Sequence, residues 1–153
     1  MRFYTFCNYY LSSIQQGIQS AHCMHEMFVH YHTYPAESKA RLAMWDWAAH
    51  HKTMVVLNGG NSAELAEILN TVIQCANEML LPYDAFREDG DSLNGALTCV
   101  GVVVPEPIYM YNEAIKKIRR DDVEAQKKLA EDFCMLGYDI ELAGLIASCP
   151  LAR

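Results

Sequence analysis

Four of the six histidines of this chain lie in one stretch, residues 11–32, with four glutamine or glutamate side chains. His22, Glu26 and His30 recur at four-residue steps, so a helix would place them on one flank, with His25 close by. Imidazole and carboxylate groups so arranged could act as acid, base or hydrogen-bond donor to a ligand. They could also share a metal ion, but no CxxC or HExxH motif supports a metal site. The alternative is a solvated polar flank, with His25 packed against a sheet.

A second group of polar residues occupies the glycine-bearing loop 88–95. Glu88, Asp89, Asp91 and Asn94 offer oxygen atoms to a ligand, and the glycines would let backbone N–H groups face it. A solvated connection between two strands accounts for the same residues equally well, because glycine, aspartate and asparagine suit tight turns.

Other stretches give weaker indications of a site. Tyr9 and Tyr10 follow the first predicted strand and could stack on a base or a similar ring. The turn at residues 58–61 could place an anion at a helix N-terminus, but it lacks GxGxxG or Walker spacing, so a structural turn is favoured. The basic residues at 116–120 are typical of a solvated helix end or of a subunit contact. No cysteine has a neighbouring base in sequence that would mark it as a nucleophile.

Length, composition and charge limit the classes of protein that fit. The chain has 153 residues, 52% of them hydrophobic, and a net charge of −7, which predicts one domain, 1–153, with a real core. Six separate cysteines without a CxxC pair favour reduced thiols and a cytoplasmic location. We expect no membrane span and no signal peptide. The excess of acid disfavours extensive binding to nucleic acid, including tRNA.

Hydrophobic periodicity predicts the elements that would position these groups. Strands are expected at 2–8, at 53–57 as a strand buried on both faces, at 83–87 and at 96–104. Helices are expected at 11–32, at 36–50, from the Asn61 cap onward, and in three segments after residue 107. The order predicts an α/β fold, a small four-stranded mixed sheet flanked by helices, with a core of 1–105 and a C-terminal helical extension of 106–153.

The first helix has one apparent apolar stripe, which should face the sheet. Ser12 or Ser13 is expected to cap this helix. The residues of the predicted stripe are Ile14, Gly17, Ile18, Ala21, Met24, Phe28 and Tyr31.

The stretch from Gly17 to His25 resembles the glycine-lysine, alanine-glutamine-cysteine and histidine motif of type-2 peptidyl-tRNA hydrolases, which also follows the first strand. Loop 88–95 and the strand led by Thr98 look like the aspartate-and-glycine loop and the final strand of that family. The resemblance covers roughly residues 2–105 and implies an α/β fold, hydrolysis of the ester between peptide and tRNA, and a dimer. Residues 140–147 would then give an apolar surface for the partner.

The departures from the family pattern fall on its chemistry. Its lysine corresponds to Ile18, and its glutamine to His22. The small residue before the motif histidine corresponds to Met24, the loop aspartate to Glu88 and the loop threonine to Ser92. Isoleucine cannot supply the positive charge that a lysine gives to an oxyanion. The residues that match the pattern are Gly17, Cys23, His25, Gly90 and Thr98.

Short phrases elsewhere, around Ser12, Gly17, His51, Leu57 and Leu93, look like a group of small bacteriophage proteins. Two functions from different classes follow. The first is a non-catalytic protein of phage origin that binds a small, nucleotide-type ligand in the host cytoplasm and intercepts a defence signal. The missing lysine and the acidic charge favour it. The second is an aminoacyl- or peptidyl-tRNA hydrolase with a rearranged site, favoured by the resemblance.

The expected site residues differ between these two functions. We expect no cofactor and no metal for either, and a homodimer or a higher homo-oligomer for both. If the protein is an enzyme, the chemistry is expected at His22, His25, Glu88 and Thr98. The expected ligand-binding residues are Tyr9, Tyr10, Gly17, Gln19, His22, Glu88, Gly90, Ser92 and Asn94.

Overall fold

The computed structural model describes residues 1–119 and 121–152, apart from the side chains of Ser92 and Leu93. The elements in chain order are β1 (Arg2–Cys7), α1 (Ser13–His32), α2 (Lys39–Asp46), β2 (Met54–Asn58), α3 (Ser62–Met79), β3 (Tyr83–Arg87), α4 (Gly90–Leu93), β4 (Leu97–Val104), α5 (Glu106–Lys117), α6 (Val123–Met135) and α7 (Ile140–Ser148). A π-helical turn, Trp47–His51, continues α2.

The four strands form one mixed sheet in the order β2-β1-β4-β3. β1 runs parallel to β2 and antiparallel to β4, and β3 is antiparallel to β4. Helices α1 and α2 cover one face of the sheet, while α3, α5, α6 and α7 cover the other. The α/β prediction, with a small four-stranded mixed sheet flanked by helices, is confirmed. β4 is buried along its whole length because it is central and covered on both faces.

The C-terminal helices share the core of the sheet. Ile108, Phe133 and Leu142 belong to the same buried cluster as residues of α3 and β4. The apolar face of α7 therefore packs inside its own chain, and not on a partner as expected, with Leu142 and Ala143 fully buried. Homo-oligomerisation stays a prediction.

Strand β2 is an edge strand, and the prediction of a strand buried on both faces is confirmed only in part. Val55 packs against the cluster beneath α3 and Val56 against the cluster beneath α1, but both are half-buried, and the first residue, Met54, is 40% exposed. The outer edge of β2 is paired by the C-terminal segment, since the Asn58 N–H donates to the Pro150 carbonyl at 2.8 Å and the Ala152 N–H to the Val56 carbonyl at 3.0 Å. A run of apolar residues predicts a strand, but its place in a sheet depends on distant parts of the chain.

Helix α1 turns a different face to the sheet than its apolar stripe predicts. Ile14 and Ile18 are 75% and 49% exposed. The buried face lies one residue earlier in the sequence, a rotation of about 100°. The residues on this face are Gln16, Gln19, Ser20, Cys23, Met27 and Tyr31.

Most buried polar groups of α1 have hydrogen-bond partners, which explains the rotation, while Gln16 Oε1 is buried with no partner among the described residues. Ser20 Oγ lies 2.8 Å from Thr5 Oγ1 and donates to the Gln16 carbonyl at 2.9 Å. Gln16 Nε2 donates to the Leu11 carbonyl at 3.2 Å. Hydrogen-bonded polar groups can be buried at little cost, so composition alone misidentified the inner face.

All six cysteines are free, as predicted. Cys7 and Cys99 are neighbours across β1 and β4, with their sulfur atoms 3.6 Å apart. The hydrogen bond with Cys99, together with burial, raises the pKa of Cys7, so both groups are thiols at neutral pH. Among the described residues, no helix is long and apolar enough to cross a membrane.

The Ser20–Thr5 contact should make Ser20→Ala destabilising. The substitution leaves the fully buried Thr5 hydroxyl without this partner, and an unsatisfied buried group costs about 1–3 kcal/mol. Urea denaturation measures the free energy of unfolding. Ser13→Ala, at an exposed position in the same helix, is the matched control and should stay within about 0.5 kcal/mol of the parent. Equal effects of both substitutions would contradict the role given to Ser20.

Candidate functional site

The flank of α1 that faces β3 holds the predicted polar residues. Ser12 caps α1 and forms a capping box with Gln15, which starts the helix directly after the β1 exit. Gln19, His22 and Glu26 then follow along the side next to β3. This flank, which the residue spacing predicted, is where the helix and the sheet leave polar groups near the surface.

The centre of the site is a hydrogen-bonded group of three residues from three segments. Gln19 Nε2 donates to Glu88 Oε1 at 2.6 Å. Thr98 Oγ1, at the start of β4, lies 3.4 Å from Gln19 Oε1 and 3.4 Å from the Phe86 carbonyl. The Glu88 N–H donates to the Ala96 carbonyl at 3.0 Å, which fixes the position of Glu88 beyond the end of β3. Gln19 and Thr98 are buried, and Glu88 is half-buried.

His22 lies beside this group, one helical turn after Gln19. Its ring is stacked on Phe86, with centroids 4.6 Å apart and planes at 15°. The imidazole is exposed and its outer face is open to solvent. A planar group could therefore continue the stack.

Tyr9 and Tyr10 form a second aromatic surface at the β1 exit. Their rings are 4.0 Å apart, and both side chains are exposed. The Asn8 N–H donates to the Thr98 carbonyl at 3.1 Å, and the Tyr10 N–H to Asn8 Oδ1 at 3.1 Å, so the pair leaves the sheet next to the Thr98 backbone. The hydrogen bond with Tyr10 raises the pKa of Tyr9.

The loop 88–95 contains one turn of helix, α4, and then reverses direction. Asn94 and Gly95 both adopt left-handed backbone angles, with φ of 51° and 70°. Gly90 is exposed, and a Cβ placed on it would meet nothing within 4 Å. Asn94 is exposed. The side chain of Ser92 lies outside the described residues.

The structure separates His25 from the other predicted residues. His25 is exposed on the side of α1 that faces away from the sheet, so the alternative in which it packs against the sheet is wrong. Gly17 faces open space, with no atom within 4 Å of an added Cβ. Ile18, in the position of the family lysine, is on the exposed outer side of the helix.

Two residues next to this flank were not among the expected site residues: Phe86, for which the sequence favoured core packing, and Asp84. Strand residues two apart point to the same face, so Asp84 and Phe86 together face α1. This two-residue alternation was the signal that could have found them. His30, at the end of the flank, has its Nδ1 atom 3.1 Å from Asp84 Oδ2.

The turn at Asn58–Asn61 is structural in its geometry. The Asn61 side chain accepts from the N–H groups of Ala63 and Glu64, and Glu64 accepts from the Asn61 N–H. These bonds occupy N–H groups that an anion would need. A cavity of about 430 Å³ opens beside this turn, but it is lined by Glu64 and Glu67, which would repel an anion.

Metal-capable groups come together elsewhere, where Cys75, Asp139 and Glu141 lie within 4.8 Å of one another. Burial, and then the neighbouring Asp139, raise the pKa of Cys75 to about 12. The sulfur is therefore protonated at neutral pH and is a poor ligand without further cost. Asp139 is already the N-cap of α7, where it accepts from the Glu141 N–H. These residues do not favour a metal site.

The basic residues near the end of α5 are paired with acids. Lys116 binds Glu113 at 3.1 Å, and Arg119 binds Asp121 at 2.8 Å. Arg120 lies outside the described residues. This pattern is that of a solvated, charge-paired surface, as the sequence predicted.

A scan of this chain against protein-family models and a search of curated proteins both give no match. The features that bear on its function are the polar group of Gln19, Glu88 and Thr98 and the aromatic pairs Tyr9–Tyr10 and His22–Phe86.

Proposed function

We propose that this protein binds the nucleoside end of a small nucleotide-type ligand and does not hydrolyse esters at this site. The observation that carries the proposal is the convergence of Gln19, Glu88 and Thr98 from α1, the end of β3 and β4, within hydrogen-bond distance of one another. Polar groups that converge beside exposed rings are typical of a site for a small ligand.

The charge of the site favours the nucleoside over the phosphates. Glu88 is half-buried and has one carboxylate oxygen bound to Gln19, so its remaining acceptor capacity suits a ribose hydroxyl or an exocyclic amino group. A phosphate next to this carboxylate would meet like charge. The phosphates would therefore extend away from Glu88, into solvent.

The aromatic pairs supply the second part of recognition. Tyr9 and Tyr10 follow β1, and Phe86, on which His22 stacks, is in β3; these two strands flank β4, which carries Thr98. Each pair has an exposed ring. Stacking of one base on an aromatic side chain contributes about 1–3 kcal/mol. His22 fits this role as it stands, because its outer face is free.

Ile18 is the main reason to favour binding over hydrolysis. Ester hydrolysis develops negative charge on the carbonyl oxygen, which needs a cation or aligned donors. Ile18 is exposed and apolar. Arg87 is next to Glu88 in sequence, but its guanidinium donates to the Gly95 carbonyl at 3.4 Å. We further propose that the protein is phage-encoded, acts in the host cytoplasm as a homo-oligomer, and removes a signalling nucleotide from host defence.

Direct binding measurements test the ligand class. The protein should bind nucleosides and nucleoside monophosphates with similar affinity in calorimetric titrations, and inorganic phosphate should show no measurable heat. Mass spectrometry of small molecules released on denaturing the purified protein should find a nucleotide. Binding of phosphate but not of nucleosides, or repeated absence of any nucleotide signal in both assays, would refute the proposal.

Gly17→Ala should stabilise α1 without affecting the site. An alanine in a helix interior is favoured over glycine by about 0.5–1 kcal/mol, and no atom obstructs the new methyl group. Gly17 lies across the helix from Gln19 and Glu26, so we expect higher stability with unchanged ligand affinity. Gly144→Ala, in α7 with the same open surroundings, should behave in the same way. Weaker binding in Gly17→Ala but not in Gly144→Ala would return Gly17 to the site.

The alternative, a peptidyl- or aminoacyl-tRNA hydrolase, is tested by incubation with peptidyl-tRNA at stoichiometric protein. The ester should stay intact, because no cation faces the developing oxyanion among the described site residues. Turnover that disappears in His22→Ala and persists in His25→Ala would overturn the binding proposal and make His22 catalytic.

A further inference from the structure

A second constellation lies at the other end of α1, about 16 Å along the helix from Gln19. His30 Nδ1 is 3.1 Å from Asp84 Oδ2, and His30 Nε2 is 3.3 Å from the Tyr34 hydroxyl. A carboxylate, an imidazole and a hydroxyl are thus linked in series. The site proposed above does not use any of these three residues.

The chemistry of the partners fixes the direction of the two hydrogen bonds. The Asp84 carboxylate can only accept, so the Nδ1–H of His30 donates to it. Nε2 then presents its lone pair and accepts from the Tyr34 hydroxyl. This is the order of groups by which a histidine activates a hydroxyl nucleophile in hydrolases, here with tyrosine as the nucleophile.

The scaffold holds this series in place. Asp84 lies on β3 under the helix, and its carboxylate also accepts from the Ala85 N–H at 2.8 Å. Burial raises the pKa of Asp84, while the bonds from Ala85 and His30 lower it. A partly desolvated carboxylate stabilises a neighbouring imidazolium more strongly than a hydrated one does. The Tyr34 backbone is fixed by a bond from Arg41 to its carbonyl.

Tyr34 also borders a cavity of about 260 Å³ between α1, α2 and the end of α3. Leu80, Leu81 and Ala76 give it an apolar wall. Lys39 lies on the same cavity and brings a cation that could stabilise a developing oxyanion. The cavity is therefore lined by the hydroxyl-bearing Tyr34, a cation and apolar side chains, and the base, His30, reaches it through its hydrogen bond with Tyr34.

We propose that Tyr34 is an acyl-accepting nucleophile, activated by His30 and Asp84, for small activated carboxylic esters whose apolar part enters this cavity. The Tyr34 oxygen attacks the ester carbonyl carbon as its proton moves to His30 Nε2. The intermediate collapses with cleavage of the bond to the leaving-group oxygen, which takes the proton from Nε2. The products are O-acyl-Tyr34 and a free alcohol or phenol, and His30 is again neutral.

The test compares two tyrosines within one protein. Tyr10 is 73% exposed and Tyr34 only 38%, so accessibility alone predicts faster modification of Tyr10. The protein is treated with p-nitrophenyl acetate for short times, digested, and the acetylated tyrosines are quantified by mass spectrometry. We expect Tyr34 to be acetylated about a hundredfold faster than Tyr10, the lower end of what a positioned general base contributes. Equal or faster modification of Tyr10 would overturn the proposal.

Substitutions test whether the hydrogen bonds of Asp84, His30 and Tyr34 cause the faster acetylation of Tyr34. His30→Gln should slow acetylation of Tyr34 about a hundredfold and leave Tyr10 unchanged, and Asp84→Asn should slow it by a smaller factor. His50→Gln is the matched control, since His50 Nδ1 also binds a carboxylate, that of Asp46, at 3.0 Å. Circular dichroism checks that each variant is folded. An unchanged Tyr34 rate in folded His30→Gln or in Asp84→Asn would refute activation.

Acyl length gives a further readout. p-Nitrophenyl butyrate should acylate Tyr34 faster than the acetate does, because the longer chain fills the apolar cavity, while Tyr10 should show no preference. If the butyrate does not react faster than the acetate, the acyl chain does not enter this cavity. None of these readouts depends on nucleotide binding at Gln19 and Glu88.

Discussion

The contact between α1 and the sheet is made by hydrogen bonds as much as by apolar packing, and the rest of the molecule depends on it. Ser20 meets Thr5, and Gln16 holds the loop that carries Tyr10. A buried hydroxyl or amide is stable only where its partner lies within hydrogen-bond distance, so these contacts fix the rotation of the helix far more narrowly than an apolar stripe could. Both proposed sites follow from that rotation.

The same rotation places an apolar surface in solvent. Ile14 and Ile18 lie on the outer side of α1, where an amphipathic helix would ordinarily have polar groups. The flank next to β3 is polar and partly exposed, so Glu88 can be reached from solvent. Apolar side chains on the outer side of α1 and polar side chains on its inner side are two results of the same rotation.

On the opposite face of the sheet the helices pack through apolar side chains. Leu65 and Val72 of α3 are buried against β4, and α7 adds Leu142 to the same core. The C-terminal segment then pairs with β2, so that this edge of the sheet is covered. This apolar layer packs against β3. The strand carries Asp84 and Phe86 on its other face and ends next to Glu88.

The sequence by itself determined the elements and the α/β class, because periodicity, caps and turn residues act locally. Ser12 and Asn61 were identifiable as caps, and the flank of Gln19, His22 and Glu26 followed from three- and four-residue spacing. Only the tertiary structure decided which face of α1 is buried, that β2 is an edge, and that His30 meets Asp84. These outcomes depend on partners in other segments, 15 residues apart for Ser20 and Thr5 and 54 for His30 and Asp84, and spacing within one segment holds no information about them.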